Sequence, residues 1–275
     1  MDNKKLELNN IEVSKTKKKI LILYAMNKYN KASKKFIEQT IYYHPKIDFY
    51  IIFNGLPNNV NYNVPIYAKT LFRKNLGFDF GAWGDALLKH NFYKRYKYFI
   101  FLNDSVNGPY VNKWPWKFIE NLNKNNIKLF GCTINALKKY KNHINAHVQS
   151  CSFCMDKECL EYLIKVNIFT ENYCEGKKNK WNTIREKELE MSNKVLSNNW
   201  NIGCFHKYYD NIDFTNLENL VNSKNFLLLG DINYPIFKDI LWTNQELIFT
   251  KGNREKQGIE SNRERLKLIK DALNL

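Results

Sequence analysis

Asn103-Asp104-Ser105 closes the apolar run Tyr98 to Leu102 and stands just before the turn Gly108-Pro109. Ligands of open α/β sheets gather at the carboxyl ends of strands, so a carboxylate placed there faces a site rather than a core. Its oxygens suit a hard divalent cation and the phosphates such a cation bridges. The bland alternative is a strand-end turn in which Asp and Ser cap backbone amides. A second cluster, Asn75-Leu76-Gly77-Phe78-Asp79-Phe80-Gly81, lies upstream. Its glycines, at 77, 81 and 84, fit no dinucleotide fingerprint, and no Gly-Lys-Ser/Thr follows to make a phosphate loop. Glycine admits a close backbone approach to a ligand. The same segment also serves as a helix entry that packs Phe78, Phe80 and Trp83 inward. A third cluster, Glu186-Lys187-Glu188-Leu189-Glu190-Met191-Ser192, offers carboxylates for proton transfer, or only solvated charges on an exposed helix.

These residues need elements to position them. Lys19 to Met26 and Ile47 to Phe53 read as buried strands, and Lys31 to Tyr43 between them carries Ala32, Phe36, Ile37 and Ile41 near helical spacing. His44-Pro45 ends that helix. Val64 to Ala68 reads as a weaker strand, Phe80 to His90 as a helix, and Tyr98 to Leu102 as a strand. Trp116 to Lys124 follows as a helix and Lys128 to Thr133 as a strand. The alternation predicts an α/β fold with a mostly parallel sheet flanked by helices. The later part is less regular. Val148 to Met155 reads as a strand, Lys157 to Val166 and Thr183 to Ser197 as helices, Ile202 to Phe205 as a short strand, and Arg263 to Leu273 as a terminal helix. The organisation expected is a basic arm at 1–18, one domain at 19–250, and a helical extension at 251–275.

The order of these motifs resembles nucleotide-sugar glycosyltransferases with the GT-A (Rossmann-like) fold, and within them the rhamnan synthesis protein F-like group. The resemblance spans roughly residues 20–245 and is strongest at 75–110. It implies transfer of a sugar from a nucleotide-sugar donor to a glycan or lipid-linked acceptor, inverting and assisted by Mn²⁺ or Mg²⁺. Asp104 would ligate the cation, with His206 as a further ligand. Here Asn103 stands where the group's Asp-any-Asp pattern has its first acid, and Ser105 stands at its third position. Tyr24, Asn54, Asn75, Gly77, Asp79 and Asn103 would line the donor pocket, and Lys238, within Tyr234 to Leu241, would reach the donor phosphates. Aligned on Met191-Ser192, the catalytic carboxylate falls on Glu188, with Glu186 and Glu190 as the alternatives in register and Asp79 and Asp156 next in line. The segment Ala146 to Ser150 would border the acceptor. A non-catalytic glycan- or nucleotide-binding relative is the rival suggested by the reduced acidic cluster.

Composition bounds the rest. The chain has 275 residues, 44% apolar and 15% aromatic, enough for a full core and unlike a disordered chain. Apolar runs such as Ile20 to Met26 and Phe226 to Leu229 are strand-sized, far from the ~18 residues of a membrane span. The start, Met1-Asp2-Asn3-Lys4-Lys5, lacks a signal peptide's apolar region, so a cytoplasmic protein is expected. The formal charge of +16 comes mostly from Lys, with Arg only at 73, 95, 185, 254, 263 and 265. Lys is a solvated point charge, which suits a plain surface or a peripheral contact with an anionic membrane. No reading motif for nucleic acid is present, and none is expected as a partner. Cys151-Ser152-Phe153-Cys154 has zinc-like spacing, with His147, Cys159, Cys174 and Cys204 elsewhere, but no second clean pair completes a site. Buried reduced thiols are expected instead.

Overall fold

The computed structural model describes residues 19–136, 139–140, 143–144, 146–173, 180–217, 219 and 242–252. The basic arm, Cys174, Phe226 to Leu229, Tyr234 to Leu241 with Lys238, and the terminal helix at Arg263 to Leu273 lie outside these residues.

The fully buried run Ile20–Met26 forms β1, and Ile47–Asn54 forms β2. Between them, helix α1 (Lys31–Thr40) starts at a capping box, in which Asn30 accepts from the Ser33 amide and Ser33 accepts from the Asn30 amide. Strand β3 is Lys69–Arg73, displaced from the expected Val64 to Ala68. Pro65 has no amide to give a ladder, its carbonyl closes a turn with the Ala68 amide, and Ile66 is fully exposed. Helix α2 (Phe78–Leu88) leads to β4 (Tyr98–Asn103), and the short β5 (Val106–Asn107) follows. Helix α3 (Trp114–Ile119) and β6 (Ile127–Gly131) come next. The short pairs β7 (Ile134–Asn135), β8 (Lys139–Tyr140), β9 (His143–Ile144) and β10 (His147–Val148) precede β11 (Ser152–Asp156). Helices α4 (Lys157–Lys165), α5 (Lys180–Thr183) and α6 (Glu190–Ser197), strand β12 (Asn201–Cys204), helix α7 (Asn244–Leu247) and strand β13 (Thr250–Lys251) are the remaining described α-helices and strands.

Seven strands make one sheet in the order β12-β6-β11-β4-β1-β2-β3, parallel throughout except for β11. The mostly parallel α/β sheet expected from the alternation is therefore observed. One face packs under α2, α4 and α6 around Trp83, Phe101 and Phe153. The other packs under α1 and α3 around Tyr24, Phe53 and Phe118. Burial on both faces explains why β1 and β4 read as unbroken apolar runs rather than alternating ones. The carboxyl ends of β1, β2 and β4 share one edge, and that edge carries the candidate site.

The orientation of β11 removes one candidate from that edge. Because the strand runs antiparallel, Asp156 at its end lies at the opposite edge of the sheet. There it caps α4 through the Cys159 amide and pairs with Lys128 at 3.0 Å. Asp156 is structural. The start of β11, by contrast, brings residues 147–151 back to the site edge.

Candidate functional site

Asp104 follows β4 directly. Its Oδ2 accepts from the Asn27 and Lys28 amides, both at 2.8 Å, while its own amide donates to the Ala25 carbonyl. The carboxylate thus ties down the loop leaving β1. Burial raises its pKa, and the Asn27 and Lys28 amides pull in the other direction. Asn103 is buried, and its Nδ2 donates to Asp79 Oδ2 at 2.8 Å. Its Oδ1 accepts from the Ser105 amide and hydroxyl. The first two clusters of the sequence therefore meet through an Asn103–Asp79 hydrogen bond.

Asp79 sits in the first turn of α2. It keeps partial exposure, the access a reacting group needs, while the protein around its carboxyl raises the pKa from 3.8 to about 7. Burial is the main cause; the Asn103 hydrogen bond opposes it, the charges of Asp104 and Glu188 add to it, and Lys180 lowers it. Glu188 thus comes within electrostatic reach of Asp79 from more than 100 positions away in the chain. It belongs to a π-helical stretch, Ile184–Leu189, between α5 and α6, and its Oε1 accepts from the Ser150 amide at 3.0 Å. The π turn departs from the plain helix expected over Thr183 to Ser197, and such turns recur at functional sites. It also separates the three glutamates: Glu186 accepts from the Tyr173 hydroxyl, and Asn193 donates to Glu190.

Several expected pocket residues prove to be framework. Tyr24 is fully buried and stacks on Phe36 with ring centroids 4.1 Å apart, so its ring faces the core rather than a nucleotide. Its hydroxyl has no hydrogen-bond partner among the described residues, and burial pushes its pKa far up. Asn54 is also buried. It donates to Asn75 Oδ1 and the Phe78 carbonyl and accepts from Arg73, leaving no polar atom for a ligand. Asn75 remains exposed at the rim. Gly77 has φ +70°, and a Cβ there would lie 2.6 Å from the Tyr173 ring and carbonyl. A Cβ on Gly84 would lie 2.3 Å from the Thr170 carbonyl. These two glycines admit the protein's own 170–173 segment, which replaces the nucleotide approach expected at Gly77.

His206 follows β12, three strands away from β4 in the sheet, and does not join Asp104. It is buried, its Nδ1 accepts from the Tyr208 amide, and burial lowers its pKa. The described cysteines 132, 154, 159 and 204 are buried, with their thiol pKa values raised by that burial. Among the described residues, no group of three His, Cys, Asp or Glu could hold a metal ion. The donor set does not fit the implied cation: Asp104 already spends one oxygen on two amides, Asn103 is committed to Asp79 and Ser105, and His206 is elsewhere.

Arg73, Asp85, Tyr173 and Lys180 were not foreseen. Arg73 bridges the site's framework, bonding Asp85 at 2.8 Å, Asn54 and the Leu76 carbonyl. Asp85 in turn accepts from the Asn172 amide. An Arg two residues before the Asn75 cluster, in a chain that mostly uses Lys, was the available signal.

A sheet whose carboxyl edge gathers acids beside a helix entry defines an α/β protein with a polar rim at that edge. The family model described as rhamnan synthesis protein F (RgpF) matches residues 58–246, and the chain belongs to this family. The match covers Asp79, Asn103, Asp104 and Glu188. No curated protein matches the chain. The crystal structure of A197 from STIV is similar at 12% identity, covering 52% of this chain and 67% of that chain with a TM-score of 0.29.

Proposed function

We propose that the chain is a GT-A-like glycosyltransferase that moves a sugar from a nucleotide-sugar donor to a glycan or lipid-linked acceptor with inversion at C1. Membership in a family described by rhamnan synthesis supports a polysaccharide substrate. The observation that carries the reading is the Asn103–Asp79 hydrogen bond, which joins the entry of α2 to the strand end bearing Asp104 at the carboxyl edge of the sheet, with Glu188 held by the Ser150 amide. In such a displacement the acceptor oxygen bonds C1, the bond from C1 to the diphosphate breaks, and the acceptor proton needs a base. A carboxyl with a pKa near 7 accepts that proton efficiently at neutral pH. Asp79 takes this role, Asn103 holds its orientation, and the Glu188 charge keeps it basic. Glu188, fixed by the Ser150 amide next to the acceptor-side segment, also accepts hydrogen bonds from sugar hydroxyls.

The test is release of nucleoside diphosphate from a panel of nucleotide sugars, with rhamnan and other glycan fragments as acceptors, by the full chain and by Asp79→Asn. Release that needs both acceptor and Asp79 supports the reading. Donor binding without turnover by the unaltered protein would overturn it in favour of a non-catalytic relative.

A further inference from the structure

A cleft of about 430 Å³ opens next to Asp104, and Lys31 and Lys35 line it together with Ser105, Asn107 and Tyr110. Both lysines are exposed, one turn apart on α1, so their ammonium groups share one side of the helix. Neighbouring like charges oppose each other, and neither lysine has an ion pair among the described residues. Lys34, which does not line the cleft, pairs with Glu38 at 3.8 Å. The cleft thus presents two uncompensated cations against one carboxylate, and that carboxylate is already solvated by the Asn27 and Lys28 amides. The acids needed for a divalent cation are lacking, while the positive charge a cation would bring is supplied by side chains.

We infer that the donor's diphosphate binds in this cleft and is neutralised by Lys31 and Lys35 in place of a divalent cation. This rests on the glycosyltransferase reading above. When the bond between C1 and the β-phosphate oxygen breaks, the electron pair stays on that oxygen. The leaving nucleoside diphosphate gains one negative charge, and fixed ammonium groups stabilise it where it forms. Lysine suits this task as a compact point charge. Asp104 then serves to shape the loop after β1, and its substitution by Asn keeps an acceptor oxygen for the two amides.

Calorimetric titration of the full chain with inorganic pyrophosphate in EDTA tests the assignment. Binding without metal is expected, weakened at least tenfold in Lys31→Gln/Lys35→Gln, within twofold of wild type in Lys34→Gln, and unchanged or tighter in Asp104→Asn. Pyrophosphate binding that appears only with Mn²⁺ or Mg²⁺ and disappears in Asp104→Asn would overturn the inference, while sugar transfer would stand. Equal weakening by Lys34→Gln, or no binding in either condition, would overturn it too. A wild-type protein that binds pyrophosphate in EDTA but releases no nucleoside diphosphate from any donor would instead defeat the glycosyltransferase reading.

Discussion

Asp79 is the site carboxyl whose chemistry is most altered by its surroundings. Its pKa of about 7 lies above the ordinary 3.8, so folding favours the protonated form. The stability contributed by that proton is complete below pH ~4 and is lost as pH rises through about 7. Asp79→Asn removes the dependence. Its urea midpoint is expected to hold steady between pH 4 and 8, where the unaltered protein weakens. The same substitution should cut sugar transfer by ~100-fold or more, the usual contribution of a positioned base. Glu188→Gln tests the neighbouring charge. The amide oxygen still accepts from the Ser150 N–H, but the negative charge is gone, so the pH–rate profile should shift to lower pH. Asn103→Ala removes the hydrogen bond that lowers the Asp79 pKa and should shift the profile the other way. A rate profile unmoved by both changes would take proton transfer away from Asp79.

At the scale of elements, the site depends on how the entry to α2 is fixed. Arg73, at the end of β3, links β2 through Asn54 and α2 through Asp85, with side-chain exposures of 9% and 22% for the ion pair. Arg73→Ala leaves Asp85 partly buried without its cation and Asn54 without a donor. It is expected to cost ~3 kcal/mol, the scale of breaking a buried pair from one side, read as a lower urea midpoint. Gly77→Ala places a Cβ against Tyr173 on a left-handed backbone, so it too should lower stability as well as activity. Much of this level was legible in the residues. β1, β2 and β4 are apolar runs because both faces of the sheet are covered, and Asn103-Asp104 ends its strand where the run says it should. The exposed edge strand β3 has no such run, and Pro65 displaced it. The direction of β11 leaves no mark on an apolar stretch, which is why Asp156 was a candidate until its strand proved antiparallel. Spacing also places a residue at a strand end without saying where its side chain goes. Tyr24 and Asn54 are at the proper ends yet point into the framework, whereas Asp79, Asp104 and Glu188 converge. His206 failed for a different reason: it is at the proper edge, but too many strands away.

At the scale of the whole molecule, charge is the dominant property. The chain carries 43 Lys and Arg against 27 Asp and Glu, a formal +16. Described ion pairs such as Lys34–Glu38 and Lys157–Glu161 are exposed, at 3.8 Å, and stabilise little. Excess charge of one sign favours the expanded chain, because unfolding separates the repelling groups. Screening weakens that repulsion: the Debye length falls from about 30 Å at 0.01 M salt to about 8 Å at 0.15 M. The melting temperature should therefore rise by a few degrees as NaCl increases over this range. A rise caused by anions filling the Lys31–Lys35 cleft would saturate and would be abolished in Lys31→Gln/Lys35→Gln. General self-repulsion would persist in that variant, reduced only in proportion to the two charges removed. Thermal melts of both proteins in NaCl and in pyrophosphate separate the two contributions. The expected outcome is a salt response common to both proteins, with an additional pyrophosphate response at low concentration confined to the one that keeps its lysines.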